Sequence, residues 1–366
     1  MDLSKIRRNT QTLVRRLGAC GISVTGVTKA VCGHPAIAQA MLDGGAAGLA
    51  DARVCNVRRL RAAGIEGPIT LIRTPMMSQA DQVVQSCEES YNTEILAIYA
   101  LAAAAIRIGK VHGIVLMVEM GDLRDGILPE NLEGIAQQVM QMSGVALKGI
   151  GANFSCLSGV GPTALQMVAF SELANEVEGA CGAFLKLVSG GGSANLPWAL
   201  DERAIDRVND LRLGEAILLG IEPVSGDKID EMYTDAFTLV AEVIETGAKS
   251  TPAPFVLIEP TAKRFDVKLT SVGSSRMILA IGHQDTDILG LSMPVESTLI
   301  GATSDHLVIQ TPRPLPKVGS EVRFQMNYNA LMHAMAAPDI EVTLFDDTPT
   351  ITALHPREMF KHSALF

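Results

Sequence analysis

Short apolar runs alternate with segments of helical spacing along the first ~220 residues. The runs are apolar on both faces, as in Gly113–Val118, which is typical of parallel strands covered by helices. Several of the intervening segments begin with Pro or Ser, as helices often do. The pattern predicts eight strands: Ser23–Lys29, Ala47–Ala50, Ile69–Thr74, Ser90–Thr93, Gly113–Met120, Lys148–Phe154, Phe184–Ser189 and Asp210–Gly214.

Eight strand–helix units in about 220 residues match the number and size of units in a (β/α)8 barrel. The competing interpretation is an open, doubly wound sheet, which usually has fewer strands. We therefore predict an α/β fold that begins with a TIM-like barrel.

The pattern changes near residue 235, where β-rich runs are separated by Gly, Pro, Asp and Ser. These runs are Ala236–Thr246, Phe255–Ile258, Met277–Ile281, Thr298–Ile300, His306–Gln310, Glu321–Met326 and Ile340–Leu344. They predict an antiparallel β domain. The expected organisation is a barrel at residues 1–228, a C-terminal β domain at 229–346 and a tail at 347–366.

Composition and charge exclude several classes of protein. The chain is 48% hydrophobic, so it can bury a large core, and its net charge of −10 argues against coating nucleic acid or an anionic membrane. The longest apolar run, Ile95–Ile106, is too short to span a bilayer. The first residues lack an uninterrupted apolar stretch, and the six cysteines are scattered, as in reduced proteins. We therefore expect a cytoplasmic protein.

The functional residues of a parallel barrel lie where its strands end. Lys29 closes a buried run, which suits either an ion-paired lysine or a desolvated amine that forms Schiff bases. Gly190–Ser193 follows the seventh strand and can turn backbone N–H groups toward a phosphate, although such turns often bind nothing. Arg212 lies in the eighth strand. A lysine, a phosphate site and an arginine around one mouth point to pyridoxal 5′-phosphate (PLP).

The motifs around these residues resemble a known family over about residues 2–345. The sequence is similar to fold-type III PLP enzymes, the alanine racemase superfamily, and within it to the amino-acid racemase branch that includes ornithine racemase. The matching segments are Gly26–Lys29, Val118–Ile127, Ser189–Leu196, Leu211–Gly220, Gly301–Leu307 and Asn327–Leu331.

The resemblance implies a role for each matching residue in the barrel. Lys29 would hold PLP and act as the base on one face of the substrate Cα. Ser193, with the backbone N–H groups of Gly214 and Glu215, would hold the phosphate. Arg212 would face the pyridine nitrogen, which it cannot protonate because its own pKa is too high.

Two further residues complete the barrel's share of the implied site. Asn153 occupies the place of a histidine that supports the arginine in alanine racemases. Arg124 matches an arginine that contacts the cofactor oxygen and the substrate carboxylate.

The sequence departs from classical alanine racemases at three points. Met117 stands where they carry a carbamylated lysine, so Arg124 must be oriented differently, and Cys32 replaces a tyrosine that contacts the phosphate. Their second catalytic tyrosine has no counterpart, because no tyrosine lies between Tyr233 and Tyr328. The opposite-face base is therefore expected from the β domain of a partner subunit in a homodimer with shared sites. The candidates there are Tyr328, Asp305, His306 and His283, of which His306 is also a candidate substrate contact. The resemblance also matches Tyr328 to a family tyrosine near the phosphate.

The leading hypothesis is a PLP-dependent racemase of a free amino acid. Four acidic residues could face a cationic side chain such as that of ornithine or lysine, and alanine is the other candidate substrate: Glu119, Asp122, Asp125 and Asp305. One alternative is a metal-assisted aldolase or dehydratase of the same fold, but Asn327–Asn329 offers no ligand pair, so we predict no metal. The other is a non-catalytic PLP homeostasis protein, a class that lacks a β domain.

Overall fold

The computed structural model describes residues 1–201, 206–248 and 275–346. Within these ranges the helices are α1 Leu3–Gly18, α2 Pro35–Asp43, α3 Val54–Ala62, α4 Ala80–Ser86, α5 Ile95–Ile108, α6 Pro129–Gln141, α7 Ala164–Cys181, α8 Leu196–Ala199, α9 Glu215–Leu219 and α10 Tyr328–Ala336. The strands are β1 Ser23–Val27, β2 Gly48–Asp51, β3 Ile69–Leu71, β4 Glu89–Asn92, β5 His112–Val118, β6 Val145–Ala152, β7 Leu187–Ser189, β8 Asp210–Leu213, β9 Leu239–Ala248, β10 Ser275–Leu279, β11 Thr298–Ala302, β12 Leu307–Gln310 and β13 Glu321–Phe324.

Strands β1 to β8 form a closed parallel barrel in chain order. The barrel closes where β1 pairs with β8, with Thr25 opposite Arg212. Every residue of β5 is buried, as expected for a strand covered by helices. The predicted barrel is confirmed, and the open sheet is excluded.

The seventh strand begins three residues later than predicted. The sequence pattern includes Phe184 in the seventh strand, but β7 starts at Leu187, and the Phe184 side chain is 73% exposed. The backbone N–H of Leu185 donates to Glu178 Oε1 at 2.7 Å. The segment before β7 is therefore held by the preceding helix rather than by the sheet.

A small cluster of buried side chains fills the barrel between β4, β5 and β6. Tyr91, Val115 and Met117 form a buried cluster. Gly151 makes room for it, because a Cβ at that position would lie 2.5 Å from Tyr91 Cε1. The tyrosine ring thus occupies space that a larger residue in β6 would take.

The second unit contains an antiparallel five-stranded sheet in the order β11-β12-β10-β9-β13, which confirms the predicted β domain. Its core includes Val243, Leu279, Leu307 and Phe324, each at 0% exposure. The predicted run Phe255–Ile258 lies outside the described residues.

The chain divides into two compact units after Ala236. Asp2–Ala236 forms one unit, and Met1 joins the described residues from Phe237 onward in the other. The domain boundaries proposed from the sequence remain predictions, and the tail 347–366 lies outside the described residues. Among the described residues, no helix combines the length and apolar character needed to cross a membrane.

Two histidines are buried in the barrel unit. Neither ring nitrogen of His34 has a hydrogen-bond partner among the described residues, and His112 Nε2 lies 2.9 Å from Ser90 Oγ. Burial lowers the pKa of each histidine from 6.5 to about 4. The folded protein therefore keeps both rings neutral where the unfolded chain would protonate them.

We expect this difference to make the fold acid-sensitive. Between pH 6.5 and about 4 the unfolded chain binds more protons than the folded one, so the free energy of unfolding falls as pH decreases through this window. Each histidine contributes up to roughly 3 kcal/mol. Urea denaturation at several pH values, compared between wild type, His34→Gln and His112→Gln, measures the effect. The exposed His333→Gln is the control; an unchanged pH slope in both buried variants would contradict the assignment.

Candidate active site at the carboxyl ends of the barrel strands

Lys29 begins a short 3-10 turn directly beyond β1. The carbonyl of Thr28 accepts hydrogen bonds from the backbone N–H groups of Val31 and Gly33, both at 3.1 Å. Gly33 has φ +62°, and its close approach to Asn56 leaves no space for a Cβ. This tight turn holds the lysine at the rim of the barrel.

Lys29 is exposed as a residue, but it lies among the loops at the barrel mouth. Desolvation by these surrounding groups lowers the pKa of the amine below its ordinary 10.5. The positive charges of Arg124 and Arg212 lower this pKa further, whereas Cys156 and Asp51 oppose the shift. The amine can therefore lose its proton more readily than a surface lysine, as a Schiff-base lysine must.

Asp51, which is not among the residues predicted from the sequence, anchors the residue next to Lys29. Its carboxylate is fully buried at the end of β2 and accepts hydrogen bonds from Thr28 Oγ1 at 2.8 Å and Asn56 Nδ2 at 3.0 Å. Burial raises the pKa of Asp51, although these hydrogen bonds oppose the shift. A charged residue closing an apolar strand is the same signal that singles out Lys29, so it could have been found.

Arg212 is buried in β8 and held on several sides. Its guanidinium donates to Ala152 O at 2.7 Å and to Asn153 Oδ1 at 2.9 Å. It also donates to Ser189 Oγ at 2.5 Å and stacks over the Tyr91 ring, 4.8 Å from its centroid. Burial raises the pKa of Tyr91 to about 12, so the ring stays neutral. These contacts fix the orientation of the cation within the barrel.

The Ser189 hydroxyl that contacts Arg212 also contacts a buried carboxylate, that of Asp210. Ser189 Oγ donates to Asp210 Oδ2 at 2.5 Å, and Thr25 Oγ1 donates to Asp210 Oδ1 at 2.7 Å. Burial raises the pKa of Asp210 despite these donors. The serine thus links the carboxylate to the guanidinium of Arg212, a connection that was not predicted from the sequence.

The turn after β7 meets the start of α9. Ser193 is buried, and its Oγ accepts the backbone N–H of Ala216 at 3.1 Å. Glu215, the first residue of α9, is half-buried, and burial beside Glu222 raises its pKa to about 7. The predicted residues Ser193, Gly214 and Glu215 are therefore adjacent, with Lys29 close enough to influence the Glu215 charge.

Arg124 lies in the loop after β5, and its side chain is 37% exposed. Its Nε donates to Asp125 Oδ1 at 2.7 Å, while Asp122 Oδ2 lies 3.9 Å away. Asn153 Nδ2 lies 3.5 Å from the same Asp125 oxygen. Met117 is a buried apolar residue of β5.

The remaining candidates lie in the second unit. Asp305 and His306 form the turn between β11 and β12, with His306 Nδ1 2.9 Å from Asp305 Oδ1. This hydrogen bond, with those from Thr303 and Ser304, lowers the pKa of Asp305, which weakens it as a base. His283 is exposed, and Tyr328 is the half-buried first residue of α10.

Residues 1–201, 206–248 and 275–346 contain no cluster of side chains arranged to bind a metal ion. No group of three or more His, Cys, Asp or Glu side chains is placed there to hold an ion. The expectation of a metal-free enzyme stays a prediction.

Comparison with known proteins places the chain in a family. Residues 1–223 match the family model for the alanine racemase N-terminal domain. The chain is 32% identical to lysine racemase from Thermotoga maritima, over 93% of this chain and 96% of that protein. It is 31% identical to ornithine racemase from Acetoanaerobium sticklandii, over 94% of this chain and 98% of the relative. An alanine racemase from Treponema pallidum matches at 31% identity, but over only 37% of each chain.

Solved structures share the fold at lower sequence identity. Alanine racemase from Bacillus anthracis superimposes with a TM-score of 0.75 at 16% identity, covering 98% of this chain and 97% of that structure. D-threonine aldolase from Filomicrobium marinum gives a TM-score of 0.74 at 15% identity, with coverages of 96% and 92%. These likenesses concern the fold alone. The family model and the two relatives matched over nearly their whole length show that the chain belongs to the alanine racemase family and is a PLP-dependent amino-acid racemase.

Proposed function

We propose that this racemase interconverts the L- and D-forms of a free amino acid with a cationic side chain, lysine or ornithine. The observation that carries the proposal is the difference in coverage among relatives. The lysine and ornithine racemases align over 96% and 98% of their length, whereas the alanine racemase from Treponema pallidum aligns over 37%.

The residues at the mouth fit PLP. At Gly192 a Cβ would lie 3.4 Å from Arg212 O, so the Ser193 turn passes close to the backbone of β8. Ser193 and the backbone N–H groups of Gly214 and Glu215 are our candidates for holding the phosphate, at the start of α9. PLP, when bound, supplies the electron sink that makes the substrate Cα–H acidic.

Lys29 is proposed as the group that holds PLP and moves the proton on one face of Cα. Its lowered pKa supports this role, since only a neutral amine can attack a carbonyl carbon or accept a proton. Arg124, one of the neighbouring cations, is proposed to bind the substrate carboxylate.

Arg212 is proposed to face the ring nitrogen of PLP, supported in its orientation by Asn153. A guanidinium at this position donates a hydrogen bond but does not give up its proton. The ring nitrogen would then stay unprotonated, so PLP would be a weaker electron sink for the negative charge at Cα. That limitation favours return of the proton over other reactions of the substrate.

The acid–base group for the opposite face is proposed to come from the β domain of a second copy, in a homodimer with shared sites. Tyr328 is the favoured residue, because the lowered pKa of Asp305 makes that carboxylate a weaker base. Asp305 and His306 remain candidates for contacting the substrate. We also propose a cytoplasmic location, which the six free cysteines support.

A substrate screen tests the proposed function. The purified holoenzyme is incubated separately with L-lysine, L-ornithine, L-alanine and L-serine, and loss of optical activity is followed by circular dichroism. We expect kcat/KM for lysine or ornithine to exceed that for alanine by at least roughly tenfold, the effect of one satisfied charge contact. A preference for alanine would refute the substrate class, and retained optical activity with release of an aldehyde or keto acid would refute racemisation.

A further inference from the structure

One line of polar contacts joins the two arginines at the barrel mouth. Arg124 Nε donates to Asp125 Oδ1 at 2.7 Å, and Asn153 Nδ2 lies 3.5 Å from the same oxygen. Asn153 Oδ1 in turn accepts from Arg212 Nη2 at 2.9 Å. A single carboxylate oxygen therefore connects the loop after β5 to the ends of β6 and β8.

The neighbouring carboxylates are engaged elsewhere. Asp122 Oδ1 accepts the backbone N–H groups of Leu157 at 2.8 Å and Ser158 at 3.3 Å, so it anchors the loop after β6. Glu119 Oε1 accepts the backbone N–H groups of Gly121 and Leu123, at 2.6 and 3.0 Å. Asp125 is thus the carboxylate that hydrogen-bonds the Arg124 side chain directly.

The loop that carries Asp125 is held in place at its end. Ile127 N donates to Met117 O at 2.8 Å, and Glu119 N donates to Ile127 O at 2.9 Å, which ties the loop back to β5. Gly126 permits this closure, because a Cβ there would lie 2.5 Å from Glu119 N. The backbone that follows Asp125, at Gly126 and Ile127, is therefore fixed against β5.

We propose that Asp125 is the positioning residue for Arg124 and that it couples this arginine to Arg212 through the Asn153 amide. Position 117, inside the strand, offers Arg124 no anion, because Met117 is apolar and buried. Asp125 supplies the anion from the loop instead. The amide that completes the link is uncharged and supplies both a donor, for Asp125, and an acceptor, for Arg212.

The inference rests on the proposed function in one respect: Arg124 is taken to bind the substrate carboxylate. A preorganised guanidinium binds a carboxylate through two parallel hydrogen bonds, and a freely rotating one loses much of that affinity. Removing Asp125 should therefore weaken binding of carboxylates while leaving binding of amines unchanged.

The test measures ligand binding to the holoenzyme by calorimetry. The probes are 6-aminohexanoate and propionate, which have a carboxylate but no α-amino group, and 1,5-diaminopentane, which has no carboxylate. In Asp125→Ala and in the isosteric Asp125→Asn, we expect the dissociation constants of both carboxylates to rise roughly 10- to 100-fold. The constant for the diamine should change less than about twofold. Asp81→Asn, which breaks an exposed ion pair with Arg107, is the matched control.

A double-mutant comparison separates positioning from general damage to the loop. In an Arg124→Ala background, Asp125→Ala should change carboxylate affinity by less than about twofold, because the residue it positions is absent. Wild-type carboxylate affinity in both Asp125 variants, or an equal loss with and without Arg124, would overturn the inference. Failure of the substrate screen alone would refute lysine and ornithine as substrates, while propionate would still report on Asp125.

Discussion

Replacing Lys29 with alanine is expected to abolish racemisation and the visible absorption of the purified enzyme. The residue is proposed both to hold PLP covalently and to move a proton, and the second role alone is worth roughly 10²–10⁴-fold in rate. Absorbance spectra and circular dichroism assays on the same preparation measure both losses. Lys29→Ala with full activity and unchanged absorbance would refute the proposed site.

Two comparisons make this result specific. Lys29→Arg keeps the positive charge but has no amine that can lose its proton, so it should be as inactive as the alanine variant. Lys110→Ala is the matched control, because Lys110 precedes β5 and lies at the opposite end of the barrel from the mouth. Its activity should equal that of wild type.

The same variant tests whether two copies share their sites. Lys29→Ala and Tyr328→Phe chains, each inactive alone, are expressed together. If one copy supplies the lysine and the other the tyrosine, about half of the dimers are mixed and each mixed dimer has one intact site. Recovery of about a quarter of wild-type activity is then expected. A Tyr328→Phe enzyme that is fully active alone would remove the tyrosine from the mechanism.

The barrel can be predicted because its signal is local and repeated. Each strand is a short apolar run followed by a helical segment, and a run such as β5 remains buried throughout the fold. Strand limits are harder to predict, as the segment before β7 illustrates: the backbone N–H of Leu185 donates to the Glu178 carboxylate of the preceding helix and not to a neighbouring strand. Periodicity carries no information about such a contact.

The candidate site can be predicted only in part, for a related reason. Lys29 stands out because a charge at the end of a buried run is unusual, and the glycines after β7 have a recognisable pattern. Ala152 and Ser189, which accept hydrogen bonds from Arg212, do not stand out, because they are 60 and 23 residues away in the chain. Asn153 is identified only through the family resemblance. These residues meet because the barrel closes and brings the ends of β6, β7 and β8 together. The register of that closure is not encoded in the local pattern of any single strand.

The role of Asp125 shows the same limit within a single loop. In the sequence it is one of several acidic residues that could face a cationic substrate. The structure places its carboxylate on Arg124, so it cannot be counted simply as a substrate carboxylate. Acidic residues three positions apart in one loop can thus have different functions: Asp122 anchors a neighbouring loop, and Asp125 orients a side chain.

Arg212→Ala is expected to lower both the free energy of unfolding and the rate of racemisation. The substitution removes a buried cation and leaves Ala152 O, Asn153 Oδ1 and Ser189 Oγ without their donor. Breaking a buried charged network of this kind costs roughly 3–5 kcal/mol. Loss of a preorganised cation from a reaction site typically lowers kcat by roughly 10²–10³-fold. Urea denaturation and kcat measurements on the same variant report the two effects separately.

Arg212→Lys distinguishes charge from geometry. Lysine keeps the cation but has no planar fork, so it cannot donate to Ser189, Ala152 and Asn153 together or stack flat on Tyr91. We expect it to recover part of the lost stability but little of the lost rate. Arg207→Ala is the control, because Arg207 forms a partly exposed ion pair with Glu178, and such pairs contribute about 1 kcal/mol or less. If Arg212→Lys restored the full rate, the charge alone would suffice, and the network that orients Arg212 would serve stability rather than catalysis.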